Sequence, residues 1–202
     1  MTKHGWGESE SADTQNNSNR KQGSFIGPVD AYSEEQQQAL ALISRGMLQE
    51  AEKIYRDLLA KGVCTRTIYS NLAAISSKQE RFIEPIKLLK HAIELNPNHP
   101  EDHYNLGLAL HQQGNLKSAT DSYRKAVQLK IDFPDAHFRL GNALQLEGNL
   151  SAAITAYKTA IELKPNFPDA HNNLGVAFQE HGNTTAAIAS YKNALRLKPN
   201  FL

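Results

Sequence analysis

Cysteine is almost missing from this chain: Cys64 stands alone in 202 residues, so no disulfide framework can form within it. That scarcity agrees with a reducing compartment. Long hydrophobic runs are missing as well. No apolar stretch approaches the roughly 20 residues that a membrane-spanning helix needs, and residues 1–30 hold no apolar core of a secretory signal, so a cytoplasmic location is expected. Nor does charge of one sign dominate. The 22 Lys and Arg against 21 Asp and Glu leave a net charge of +1, which offers no basic footprint for nucleic acid or an anionic membrane. The sequence has no phosphate-cradling glycine loop and no assembly of nucleophile, base and orienting acid, so no catalytic residue and no cofactor is expected.

Residues 1–30 are rich in Ser, Asn, Gly and charge and poor in apolar residues, which predicts a disordered tail. The one tryptophan, Trp6, lies there between two glycines. Because the tail adds nothing to any apolar stripe, its removal should leave folding unchanged.

From Tyr32 the sequence repeats every 34 residues. The register aligns Leu72-Ala73, Leu106-Gly107, Leu140-Gly141 and Leu174-Gly175. It also aligns Tyr55, Leu89, Tyr123, Tyr157 and Tyr191, and it places Ala51, Pro85, Ala119, Ala153 and Ala187 in one column. The units predicted are 32–65, 66–99, 100–133, 134–167 and 168–201. Inside each, apolar residues follow a helical period in two short stretches, giving two amphipathic helices per unit. Gly114-Asn115, Gly148-Asn149 and Gly182-Asn183 separate them, with glycine suited to a left-handed stop and asparagine to capping the next helix. Pro97, Pro165 and Pro199 end second helices, and Pro134-Asp135 and Pro168-Asp169 open first helices. A hairpin of this size cannot bury its own stripes, so each unit must lean on its neighbours.

Units such as PDAHNNLGVAFQEHGNTTAAIASYKNALRLKPNF resemble tetratricopeptide repeats at the Leu-Gly, Gly-Asn, Ala, Tyr, Ala and Pro positions. The resemblance implies an all-α, right-handed helical solenoid of five helix-turn-helix units. The first two depart from the pattern: Gln38-Ala39 replaces Leu-Gly and Val63 the proline in unit one, while Glu80 replaces the turn glycine and Pro85 the small residue in unit two.

Three histidines, His103, His137 and His171, recur at the repeat period, and equivalent residues on successive units stand about one helix-packing layer apart, of order 10 Å. Ligands of a single zinc sit about 2 Å from it, so packing rather than metal binding is expected. His4, His91, His99, His111 and His181 read as solvated, and Cys64 as a structural thiol. The sequons at Asn16, Asn149 and Asn183 read as accidental in a chain without a secretory signal.

The face of each first helix opposite its buried stripe remains. In unit three it carries Glu101, Tyr104, Asn105, Leu108 and Gln112; in unit four Asp135, Phe138, Arg139, Asn142 and Leu146; in unit five Asp169, Asn172, Asn173, Val176 and Glu180. In tetratricopeptide proteins this helix lines a concave groove, and the resemblance implies a peptide-binding surface here. The residue before each Leu-Gly or Leu-Ala pair is Asn71, Asn105, Arg139 or Asn173. An amide both donates and accepts, so asparagines at a constant rise suit the main chain of an extended ligand. The series is similar to the asparagine ladder in the repeats of O-linked N-acetylglucosamine transferases. Arg139 breaks it and suits a carboxylate or phosphate.

Two functions follow as expectations. One is a non-catalytic adaptor holding a protein or peptide segment in its groove, with self-association through Tyr191, Ala194 and Leu195 on a last unit that lacks a polar cap. The other is the N-terminal targeting part of a larger glycosyltransferase or sulfotransferase, since the sequence stops where earlier units run straight into the next Pro-Asp.

Overall fold

A computed structural model describes residues 32–200, and the tail with His4, Asn16 and Trp6 lies outside them. Ten α-helices and no strand are found among the described residues. In chain order they are α1 (Ser33–Ser44), α2 (Leu48–Ala60), α3 (Arg66–Lys78), α4 (Glu84–Leu95), α5 (Pro100–Gln112), α6 (Leu116–Leu129), α7 (Pro134–Leu146), α8 (Leu150–Leu163), α9 (Pro168–Glu180) and α10 (Thr184–Leu197). Each odd-numbered helix packs antiparallel on the helix that follows it, and each even-numbered helix packs on the first helix of the next unit. The fold is an all-α helical repeat.

Local chemistry sets the turns. Gly148 takes φ +78°, and the amides of Gly148 and Asn149 return to the carbonyls of Gln145 and Leu144, which closes α7. Asn149 Oδ1 then accepts from the Ala152 amide at 3.3 Å and caps α8; Asn115 and Asn183 do the same for α6 and α10. Unit two differs. Glu80 occupies the left-handed position at φ +58°, and α4 starts at Glu84, two residues later than its counterparts. Pro85 explains the delay. Without an amide hydrogen it is tolerated only in the first helical turn, so the helix cannot begin early enough to place it deeper.

The core is a column of small and large residues in alternation. Ala119, Ala153 and Ala187 and then Ala126, Ala160 and Ala194 are buried where helices touch, and Tyr55, Tyr123 and Tyr157 are fully enclosed. Gly107, Gly141 and Gly175 each lie under a tyrosine ring of the partner helix; a Cβ at Gly141 would come within 2.6 Å of Tyr157 Cε1. Leu195 and Ile188 on α10 stay about half exposed while Ala194 is buried at 2% exposure, so that part of the apolar end expected to be open is closed within the unit.

Units one and two are joined by charge. Arg81 reaches Glu52 at 2.6 Å and Glu84 at 2.8 Å, while Arg56 reaches the same two carboxylates at 2.6 and 2.5 Å. The Arg81 hydrogen bond, with Arg56 adding to it against the opposite pull of burial, holds the Glu52 carboxyl down to about 2 from its ordinary 4.5. A depressed carboxyl gives stability that is complete above about pH 4.5 and is lost as pH falls toward 2. Thermal melts of the wild type should therefore drop across that window more steeply than those of Glu52→Gln. Parallel curves for the two proteins would show that the cluster does not stabilise the joint.

Candidate functional site

Successive odd-numbered helices approach one another more closely than the even-numbered ones do. α3 touches α5 and α7 touches α9, whereas no comparable contact links the even-numbered helices, so the first helices lie on the inner side of the array's curve. All the residues assigned to the candidate groove sit on α3, α5, α7 and α9. Their surroundings divide them into three groups.

The aromatic residues are not free. Tyr104 packs against Phe133 at 5.0 Å and Tyr123 at 6.1 Å, and Phe138 against Phe167 at 4.8 Å and Tyr157 at 6.0 Å. Each ring is half-buried within its own unit, against that unit's second helix and the loop that follows it, and is not the exposed recognition surface expected. Leu108 and Val176 are likewise half-buried, while Leu146 is largely exposed at 61%. The acidic residues at the helix starts are partly paired: Glu101 lies 3.2 Å from Lys130, and Asp135 lies 3.8 Å from Lys164.

The asparagines are more committed than their spacing reveals. Asn71 Nδ2 donates to the Tyr55 hydroxyl at 2.8 Å, across the joint of units one and two. At the joint of units four and five, the Tyr157 hydroxyl lies 2.8 Å from Asn142 Oδ1 and 2.9 Å from Gln145 Oε1, and Asn173 Nδ2 donates to the same Asn142 oxygen at 2.9 Å. Burial pushes the Tyr157 and Tyr123 phenols well above their ordinary range, so both remain neutral donors. At the joint of units three and four, Leu108 stands where Asn142 would, and the buried Tyr123 hydroxyl has no hydrogen-bond partner among the described residues. Arg139 occupies the asparagine position beside it, exposed and without an ion pair among the described residues.

Asn105 is the exception. Its counterpart tyrosine is replaced by Leu89, so no hydroxyl reaches it, and its side chain makes no hydrogen bond among the described residues. Asn105 instead forms part of the wall of a recess of about 220 Å³ lined by Ala73, Ala74 and Ser77 of α3, Leu89 of α4, and Leu108 and Gln112 of α5.

The periodic histidines tie units together. The Nε2 atoms of His103, His137 and His171 lie 2.8, 3.0 and 3.2 Å from the carbonyls of Pro97, Ile131 and Pro165, each six residues back in the inter-unit loop. His99 is not simply solvated. Its buried Nδ1 lies 3.3 Å from Asp102, whose carboxylate also takes the Ser70 hydroxyl at 2.6 Å and Arg66 at 3.2 Å. His181 Nε2 lies 3.3 Å from Ser151 Oγ, and the His91 ring packs against Tyr69. Cys64 is exposed. No group of three or more His, Cys, Asp or Glu among the described residues is placed to hold a metal ion, and no described helix is long and apolar enough to cross a membrane.

With an all-α repeat, glycine-under-tyrosine packing and an asparagine-bearing inner face in place, the class of protein follows. Family models for the TPR repeat match residues 77–114, 108–148 and 146–182, and the tetratricopeptide repeat model matches 168–201. The chain belongs to the tetratricopeptide repeat family. Solved structures share the fold. A crystal structure of MamA is 24% identical with a TM-score of 0.75, covering 80% of this chain and 94% of that one. YrrB, described as a TPR protein with an unusual peptide-binding site, is 24% identical with a TM-score of 0.75, covering 83% and 86%. MamA from Desulfovibrio magneticus RS-1, residue 41 to its end, is 17% identical with a TM-score of 0.77, covering 85% and 97%. Among curated proteins no sequence matches the chain.

Proposed function

We propose that the chain is a non-catalytic interaction module that holds an extended peptide or protein segment along the face of α3, α5, α7 and α9. The observation that carries this reading is Asn105, a half-buried amide on the inner face that no side chain among the described residues uses. Elsewhere in the series the same position serves a tyrosine hydroxyl, as Asn71 does, or a neighbouring amide, as Asn173 does. A primary amide donates and accepts at once and so matches a peptide group of a bound chain. The likeness to YrrB, whose structure is described as having a peptide-binding site, supports the same reading. Arg139, without an ion pair on the adjoining unit, favours a ligand with a carboxylate nearby.

Binding and folding therefore separate at Asn105 and not at Asn173. A peptide selected from a random library on the full chain should bind Asn105→Ala several-fold to about a hundredfold more weakly, for one or two lost hydrogen bonds worth roughly 0.5–1.5 kcal/mol each, with an unchanged melting curve. Asn173→Ala should lower the melting temperature as well, because Asn142 loses a donor. Titration calorimetry beside thermal melts reads both effects. Undiminished binding to Asn105→Ala would remove the main support for the groove.

A further inference from the structure

The inner face carries several versions of one cradle, and comparing them shows what one version lacks. At the joint of units four and five the chain fills the cradle itself. The Tyr157 ring passes over Gly141, and its hydroxyl ends between Asn142 and Gln145. Two repeats earlier three of the corresponding residues are shorter, Leu89 for Tyr157, Ala74 for Asn142 and Ser77 for Gln145, and Ala73 adds only a methyl in place of Gly141. Leu89 cannot reach where the phenol would end, and the recess of about 220 Å³ is what remains.

We infer that this recess is a specificity pocket that takes one uncharged aliphatic side chain of an extended polypeptide, while Asn105 bonds the adjacent peptide group. The inference rests on the groove reading above and names the ligand chemistry at one point of it. Size argues for a single side chain, because pockets for drug-sized ligands and cofactors run to about 300–1,000 Å³. Charge argues for an aliphatic group, since no lining residue is charged and a buried ionic group would lose its water without gaining a partner. The two amide acceptors that hold the Tyr157 hydroxyl are replaced here by Ala74 and Ser77, so the pair of bonds that fixes a phenol at that joint is not reproduced. The uncommitted amide at the wall gives a bound main chain one fixed point, and a side chain in the recess fixes its register.

The repeat itself supplies the test. Ala73→Gly with Leu89→Tyr rebuilds the glycine–tyrosine pair of units three to five and fills the recess with a ring the fold already accommodates. Ala74→Leu fills it from an exposed position on α3 without entering the core, in case the double variant fails to fold. Random twelve-residue peptides displayed on phage are selected on the full wild-type chain. The enriched peptides should share Leu, Ile, Val or Met at one position. Replacing that residue by Ala, or offering the peptide to either filled variant, should weaken binding about tenfold or more by titration, while the variants keep the wild-type helical signal. Peptides that bind the filled variants as tightly as the wild type would overturn the pocket and leave the groove standing. A shared charged or aromatic residue at that position would overturn the assigned chemistry. Enrichment of no peptide at all would remove the groove reading and the pocket with it.

Discussion

Replacing Arg66 by alanine should destabilise the joint of units two and three by about 3 kcal/mol or more, whereas replacing its partner Asp102 by alanine should cost little. The asymmetry follows from burial. The Asp102 side chain is 2% exposed and the Arg66 side chain 25%, so removing the arginine strands a carboxylate in the interior, and breaking a buried pair in this way costs roughly 3–5 kcal/mol. Ser70 and His99 remain close to Asp102 and soften the loss. Removing the carboxylate instead restores the residue that units four and five carry at the same place, Ala136 and Ala170, both fully buried, and leaves an arginine that turns to water. Chemical denaturation of the two variants reads the difference. Equal losses would mean that the pair, not the burial of one member, sets the energy.

Gly141→Ala should be the next most damaging change. Its Cβ would meet the Tyr157 ring at 2.6 Å, and that ring is fully buried and its hydroxyl is held by Asn142 and Gln145. Overpacking of this kind costs about 1–3 kcal/mol. Unit one carries alanine at the same place, Ala39 against Tyr55, where among the described helices α1 packs chiefly on α2 and has room to stand off. α7 lies among α6, α8 and α9 and cannot retreat. The clash is specific to the ring, so the alanine should cost much less in a Tyr157→Leu background, the combination that Ala73 and Leu89 already use. A double-mutant cycle measures that coupling. A cost independent of residue 157 would place the strain elsewhere.

The repeat frame, the helix stops and the caps were legible because they are local: glycine, asparagine and proline act on backbone within a few residues of themselves. The buried stripe was legible from its period. What escaped the sequence depends on partners in other elements. The histidines at 103, 137 and 171 bond main-chain carbonyls, which carry no residue identity to align. Asn71 meets Tyr55 across a unit boundary, so its role in the fold was invisible in a column of asparagines. Their place opposite the buried stripe predicts exposed rings for Tyr104 and Phe138, yet Phe133 and Phe167 from the inter-unit loops pack against them. Two signals stood in the alignment and pointed to what the structure shows. Asp102 places a carboxylate at a buried position where units two, four and five carry Ile68, Ala136 and Ala170. Leu89 breaks the column of tyrosines in the same unit that has Ala73 for glycine, and together they leave the recess open.

The central claim is that the inner face of the first helices, with Asn105 at its middle, is the binding surface. Nitrogen-15 chemical-shift mapping of the full chain with one selected peptide tests it most directly. The account predicts that the largest shifts fall on α3, α5, α7 and α9, with the Asn105 side-chain amide among them and the even-numbered helices little changed. Shifts confined to α2, α4, α6 and α8, or to the exposed Ile188 and Leu195 side of α10, would contradict it.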